Sequence, residues 1–512
     1  MAPGREKVVD QQPRFDGGLN NVSDDAALLP NQLRRADNAR LTDYGAISKR
    51  GGTRRTAASA LAAASVLNGY TWRQDGGTQQ IMAVCNGTLY TSSFISTYPW
   101  TWTSRTGSLS TTVAPSFAQF RDGTNDVVYI ADGGPLNAWN GSALTTNIAG
   151  TLDVNTLAVH NERLWGCGNA SFPDSIFYSA LNNGNTLANG PSGGGQIIVR
   201  TFSDETVIGL ASVNTSLLIF HRRGISRLTG YGQDDITVAP QGLTSDVGTI
   251  AAKSVVSIGN LAFFLSERGL YRCNESEVAP VGTVQTPDPT LAAIRGLSSD
   301  DFANIRSVFN RATRELWISI PDFGVYVYNT TLQAWSGPWD GGYTTPATTC
   351  LFESLDYNGL PVVLKGDDSG YVSVCDASGV FVDNQLSDGT GGTVYTMTAQ
   401  MHRMYCGDEA TAKSLRFGYI TASLKGSNST KIQWSTETDA GDFMLPTTFS
   451  SAGVWGFGTW DITKVWGGAS SRNYRIQMNG TGYYIDVSIV DSGTAAPIFS
   501  RFQLETFALG RR

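Results

Sequence analysis

Between Gly69 and about Asp376, short apolar runs alternate with turns rich in Gly, Asn and Asp, and the run after each turn carries an aromatic or Leu-aromatic pair. The theme returns at Asn86-Gly87-Thr88-Leu89-Tyr90, Asn161-Glu162-Arg163-Leu164-Trp165, Glu267-Arg268-Gly269-Leu270-Tyr271, Asp322-Phe323-Gly324-Val325-Tyr326 and Asp368-Ser369-Gly370-Tyr371-Val372. Each is the second half of a β-hairpin, because Asn and Gly accept the left-handed backbone of a tight turn and aromatic residues suit a pleated surface. The clearest signal pairs 81–85 with 88–91 across Asn86-Gly87. Comparable hairpins are predicted for 126–131 with 136–139, 157–159 with 163–165, 216–220 with 225–228, 261–265 with 270–273, 316–320 with 325–328, and 361–364 with 371–374.

These hairpins recur roughly every 40–50 residues, the length of a four-stranded propeller blade. The pattern predicts an all-β chain whose residues 67–386 form a β-propeller of six or seven blades. In such a ring each small sheet buries its faces on its neighbours and leaves only short edges. A row of β-sandwiches is the competing all-β arrangement. The Gly/Asn-rich stretch 182–195 predicts a loop insertion, and 287–294 predicts the one short helix in the middle of the chain.

The flanks read differently. Residues 1–66 are expected to form an N-terminal arm and docking segment: a tight turn at 14–20, a small helix over 30–41, then an Ala/Ser-rich linker. Pro30 suits a first helical turn, and Leu33, Ala36 and Leu41 supply an apolar stripe. Past Ser387-Asp388-Gly389-Thr390-Gly391-Gly392 the strands lengthen, predicting a separate C-terminal β-sandwich over 387–512.

Length and composition agree with this division. A chain of 512 residues exceeds a single core. Only 16% of it is charged, against 57 Gly, 12 Trp and 19 Tyr, which favours strands and turns over helices. The net charge of −7 disfavours a tight nucleic-acid binder, whose affinity comes mainly from neutralised phosphates, although it permits a conduit along which DNA slides. Against that acidic background Arg34, Arg35, Arg40, Lys49, Arg50, Arg54 and Arg55 make one basic stretch. It is read as a docking surface for an acidic partner or DNA, the plainer alternative being a solvated basic face.

Candidate chemistry adds little. The six cysteines are far apart, without zinc spacing, and are expected as buried reduced thiols rather than long-range disulfides. His160, His221 and His402 have no nucleophile elbow beside them and are expected in structural or surface roles. Residues 435–443 resemble a degenerate Asp-box, a turn stabiliser of sialidase blades, and the Asp-Gly-Gly triplets at Asp16, Asp75, Asp132 and Asp340 read as turns rather than calcium loops. The Asn-x-Ser/Thr triplets are likewise turn chemistry. Neither a signal-peptide core nor a membrane-length apolar run is evident. No catalytic residue, cofactor or metal is assigned, and a non-enzymatic role is expected.

The opening residues carry a resemblance. Phe15-Asp16-Gly17-Gly18-Leu19-Asn20, Leu28-Leu29-Pro30, Ala36-Asp37-Asn38, and Gly45-Ala46-Ile47-Ser48-Lys49-Arg50-Gly51-Gly52-Thr53 resemble the start of the tail nozzle, or packaged-DNA stabilisation, proteins of short-tailed bacteriophages. That pattern runs Phe-x-Gly-Gly-Leu-Asn, Ala-x-Asn and Gly-x-Leu-x-x-Arg-Pro-Gly-Thr; this chain has Ile47 for the Leu and Gly51 for the Pro. The closing Leu509-Gly510-Arg511-Arg512 is similar too. The resemblance implies a virion protein, made in the host cytoplasm, present as a hexameric ring below portal and adaptor. It further implies contacts with tail fibres or spikes and a plug or needle, and non-specific passage of double-stranded DNA. On that basis Arg511 and Arg512 join the basic stretch as expected interface residues. A carbohydrate-binding or depolymerising phage tail protein is the alternative, and a surface adhesin a more distant one.

Overall fold

The computed structural model describes residues 7–42, 44–74, 79–93, 97–187, 193–199, 206–230, 241–244, 246–424, 428–446 and 471–509. Six separate four-stranded antiparallel sheets and a seventh four-stranded meander follow one another along the chain. Their innermost strands are Val66–Arg73, Ser116–Arg121, Thr156–His160, Gly209–Val213, Val256–Ile258, Arg306–Asn310 and Thr348–Leu355. Each innermost strand packs on the next, and Thr348–Leu355 packs back on Val66–Arg73, so the ring closes as a β-propeller.

The predicted hairpins lie inside these blades. Asn86 and Gly87 adopt φ of 48° and 70°, and Cys85 faces Thr88 across the turn. Asn161 and Glu162 adopt φ of 47° and 56° between His160 and Arg163. Both are two-residue turns whose positive-φ backbone suits the right-handed twist of the strands they join. The helix expected around 287–294 is present as Thr290–Arg295.

Neighbouring blades bury each other through shared apolar clusters. Blades one and two enclose Trp72, Val84, Val128, Ile130 and Trp139; blades seven and one enclose Val66, Ile81, Cys350, Leu364 and Val374. Each such side chain, fully buried, contributes about 1.5–3 kcal/mol. A lone four-stranded sheet has nothing to bury either face against, so stability comes from the closed ring.

Closure uses a distant part of the chain. The seventh blade takes Thr348–Leu355, Pro361–Asp367 and Val372–Cys375 from its own stretch, and its outermost strand is Thr53–Arg55. Thr53, Arg54 and Arg55 face Cys375, Val374 and Ser373. Part of the segment expected as an N-terminal arm and docking segment therefore latches the ring.

The flanks combine rather than standing apart. Lys7–Gln12, Ala39–Leu41 and Ile47–Lys49 share a sheet with Lys413–Ser423, Arg472–Gln477 and Ile498–Ala508. Gln32–Asp37 shares a second sheet with Met397–Met401, Asp486–Asp491, Thr430–Ser435 and Ala440–Met444. A sandwich built from the C-terminal segment alone is thus not what the sheets show; both termini weave the same two sheets. Leu33, Ala36, Met401, Ile432 and Val487 of one meet Ile47, Ile420, Phe499, Phe502 and Leu504 of the other in one continuous core. That core runs on into blade six, where Ala36 pairs with Gly337.

The small N-terminal helix is also corrected: residues 32–37 are a strand. A register shift between Leu33 and Arg35 leaves Arg34 and Arg35 both exposed while Leu33 and Ala36 stay buried. This β-bulge sets the apolar residues three apart, which imitates a helical stripe.

Candidate functional site

The opening motif is where the propeller and the two-sheet unit meet. Gly18 adopts φ +62°, and a Cβ there would lie 2.5 Å from the Trp335 carbonyl oxygen. Phe15 is fully buried, and Asn20 donates to Gln32 Oε1 at 3.0 Å. Asn38, with φ 52°, sits at the centre: its Oδ1 accepts from Arg50 Nε (2.9 Å) and from the Asp340 N–H (3.1 Å), while its Nδ2 donates to the Thr396 carbonyl (2.9 Å). One short amide side chain therefore bonds blade six, the latch and the C-terminal segment.

Beside it, Arg50 is fully buried and makes two parallel bonds to Asp383, Nη1–Oδ1 2.8 Å and Nη2–Oδ2 2.5 Å. Its guanidinium lies 3.8 Å from the Tyr395 ring centroid and 4.9 Å from that of Tyr343. Burial alone would lower the guanidinium's pKa; the bonds and charge of Asp383 outweigh it and hold the group protonated. Arg40 bridges Glu315 (Nε–Oε1 2.8 Å) and Asp376 (2.7 Å), joining blades six and seven. Lys49 is buried against the Gly493 carbonyl (2.6 Å) and Asp491 (3.7 Å), with burial lowering its pKa to about 8.

The predicted docking residues are therefore divided. Arg40, Lys49 and Arg50 are spent on internal pairs and present no charge to a partner, because a buried cation is stable only when its bonds are met within the chain. Arg54 and Arg55 lie on the rim of blade seven, stacked 4.0 Å over Tyr98 and 3.9 Å over Tyr371. Arg34 and Arg35 remain exposed, ion-paired to Asp25 (2.8 Å) and to Asp37 respectively. Arg511 and Arg512 lie outside the described residues.

The second feature is a cavity of about 920 Å³ at the mouth of the propeller, lined by the entries of successive inner strands. Its walls include Asn155, Thr156, Lys253, Asn304, Arg306 and Thr349. Lys253 comes from the 3-10 turn Ala252–Ser254, and Arg306 is the first residue of its blade's inner strand. Neither was singled out in the sequence. The available signal was a lone Lys inside the small-apolar run Ile250-Ala251-Ala252-Lys253-Ser254-Val255.

The remaining candidates are structural. All six cysteines are free and buried, and burial pushes the thiols of Cys167, Cys273, Cys350, Cys375 and Cys406 up to about 12. His160 Nδ1 bonds Ser212 at 2.8 Å and His402 Nδ1 bonds Gln12 at 2.7 Å, and burial lowers the pKa of both rings. His221 is buried as well. In the Asp-box-like turn, Asp439 accepts from the Thr481 N–H at 2.9 Å, a turn-fixing bond. Asp132 accepts from the Ser110 N–H at 2.7 Å, while Asp75 lies outside the described residues. Among the described residues no group of three or more His, Cys, Asp or Glu is placed to hold a metal ion, and no helix is long and apolar enough to cross a membrane.

No protein-family model and no curated protein matches the sequence. Among solved structures, the chain is similar to the extracellular domain of a putative one component system, BT4673, from B. thetaiotaomicron (TM-score 0.41, 11% identity, covering 64% of this chain and 40% of that one). It is also similar to the extracellular domain of a putative hybrid two component system, BT3049, from the same organism (TM-score 0.39, 13% identity, 66% and 45%). The WD40 domain of Neurospora crassa Pan2 aligns at TM-score 0.40 and 9% identity, covering 65% of this chain and 96% of that domain. The chain thus spans well under half the length of the first of these neighbours.

Proposed function

We propose that this protein is a non-catalytic structural subunit of a short-tailed phage tail, a nozzle-type protein. Six copies would ring a channel below the portal and adaptor, retain packaged DNA, and conduct it at ejection. The observation that carries this reading is the use of the opening motif. Its Gly18, Asn38 and Arg50 tie the latch strand, blade six and the two-sheet unit into one piece. A conduit wall needs that stiffness, and a net charge of −7 avoids an adhesive lining for a polyanion. Ring formation then needs only one head-to-tail contact repeated until it closes. Docking falls to what stays outside: Arg34 and Arg35, with Arg54 and Arg55 at the rim. Fibres or spikes and a plug or needle would be the other partners, in the virion after synthesis in the host cytoplasm.

Native mass spectrometry of the full chain, alone and mixed with the adaptor-bearing portal of its phage, tests this. Six-chain species are expected, at the latest on the portal. A chain that stays monomeric and unbound in both samples overturns the reading.

A further inference from the structure

Among the described residues, two cations of the propeller-mouth cavity, Lys253 and Arg306, have no carboxylate bonded to them. Lys253 Nζ reaches across the mouth to the Pro115 carbonyl oxygen at 3.3 Å. Arg306 is held by backbone carbonyls: Nε donates to Thr349 (3.0 Å), and Nη1 to Ile305 (3.0 Å) and Ala303 (2.5 Å). Among the described residues neither cation bonds an Asp or Glu. This sets them apart from Arg40, Lys49 and Arg50, which all do.

The other charged groups of the wall do not supply the missing anion. Arg222 is tied to Glu267 at 2.7 Å. The Cys167 thiol beside Lys253 stays protonated, pushed up to about 12 by burial. Burial first, then repulsion from Arg306, lowers Lys253 to about 7. Among the described residues Asp322 is the only carboxylate of the wall, and no ion pair joins it to Lys253 or Arg306. Desolvated, unpaired cations are costly, and an oxyanion bonded to both would relieve that cost through charge-assisted hydrogen bonds.

We propose that this cavity binds a small acidic sugar, a hydroxyl-rich molecule bearing one carboxylate or phosphate, anchored by Lys253 and Arg306. Its volume of about 920 Å³ falls within the range of small-molecule sites. Asn155, Thr156, Asn304 and Thr349 place amide and hydroxyl groups around the same space, suited to sugar hydroxyls. The site belongs to one propeller, so it stands or falls independently of ring assembly.

Calorimetric titration of the full chain tests it, near neutral pH and at low ionic strength in a phosphate-free buffer. The probes are glucuronate, glucose 6-phosphate, inorganic phosphate and glucose. At least one acidic sugar should bind about ten-fold or more tighter than both glucose and free phosphate, and which of the two does so identifies the anion. Lys253→Met should weaken that binding about ten-fold or more while leaving Tm unchanged or higher, since it removes an unpaired cation. As a readout independent of the variant, binding to the unaltered chain should weaken as pH rises well above 7 and as salt is added. No binding by either acid at about 10 mM, glucose or phosphate binding as tightly as the acids, or full affinity in Lys253→Met would each overturn the proposal.

Discussion

Arg50 and Asp383 form a two-bond ion pair with both side chains sealed from solvent, across 333 residues of sequence. Nη1 also donates to the Gly51 carbonyl (3.0 Å) and Nη2 to that of Asp340 (3.1 Å), and Asp383 Oδ2 accepts from the Gly342 N–H (2.9 Å). Nearly every polar atom at this joint is thus matched. Removing one partner strands the other, so Arg50→Met or Asp383→Leu should each cost about 3–5 kcal/mol in chemical unfolding. The double variant should cost less than the sum of the two, a coupling that a double-mutant cycle reads directly.

Gly51, which stands where the pattern that the opening resembles has proline, and Gly52 both sit in tight backbone contacts. The Gly51 N–H donates to Asp376 Oδ1 at 3.1 Å, a bond a proline cannot make. A Cβ at Gly52 would lie 2.1 Å from the Val382 carbonyl oxygen, a backbone atom that cannot turn aside. Gly51→Pro and Gly52→Ala should both lower Tm, each by an amount equivalent to about 1–3 kcal/mol. Ala substitution at Gly259, which has open space around it, isolates the cost of its positive φ.

Deleting residues 1–55 removes the outer strand of blade seven and part of both terminal sheets. The truncated chain should lose cooperative thermal unfolding rather than merely lose a docking surface.

How far the sequence revealed all this depends on how local each cause is. Asn86-Gly87 and Asn161-Glu162 specify their turns within four residues, so blade hairpins were legible from text alone. Residues 32–37 were not: Leu33 and Ala36 owe their spacing to a bulge enforced by strand Met397–Met401, far along the chain. The basic stretch was legible as a cluster of charge, but its meaning was not. Glu315, Asp376, Asp383 and Asp491, which turn Arg40, Arg50 and Lys49 into internal clamps, are hundreds of residues away.

Buried titrating groups give stability a pH signature. Lys49 and Lys253 have folded pKa values of about 8 and about 7, below the 10.5 of a free lysine. Above those values the unfolded chain binds more protons than the folded one, so stability rises with pH. The cysteine thiols act oppositely: folded values near 12 against 9 mean the unfolded chain ionises first, and stability falls above about pH 9. Urea midpoints should therefore climb from about pH 7 to 8.5 and decline beyond about pH 9. Lys253→Met should flatten the climb.

The same burial makes the thiols inert. A thiol reagent at about pH 8 should label none of the six cysteines in the native chain within minutes, and all six after denaturation.

Single-particle electron microscopy of the purified full chain, with its portal complex if needed, tests assembly into a hexameric channel most directly. Six-fold rings with an open axial bore wide enough for a DNA duplex are the predicted result. Isolated propellers that never associate, or closed assemblies without a bore, would contradict it.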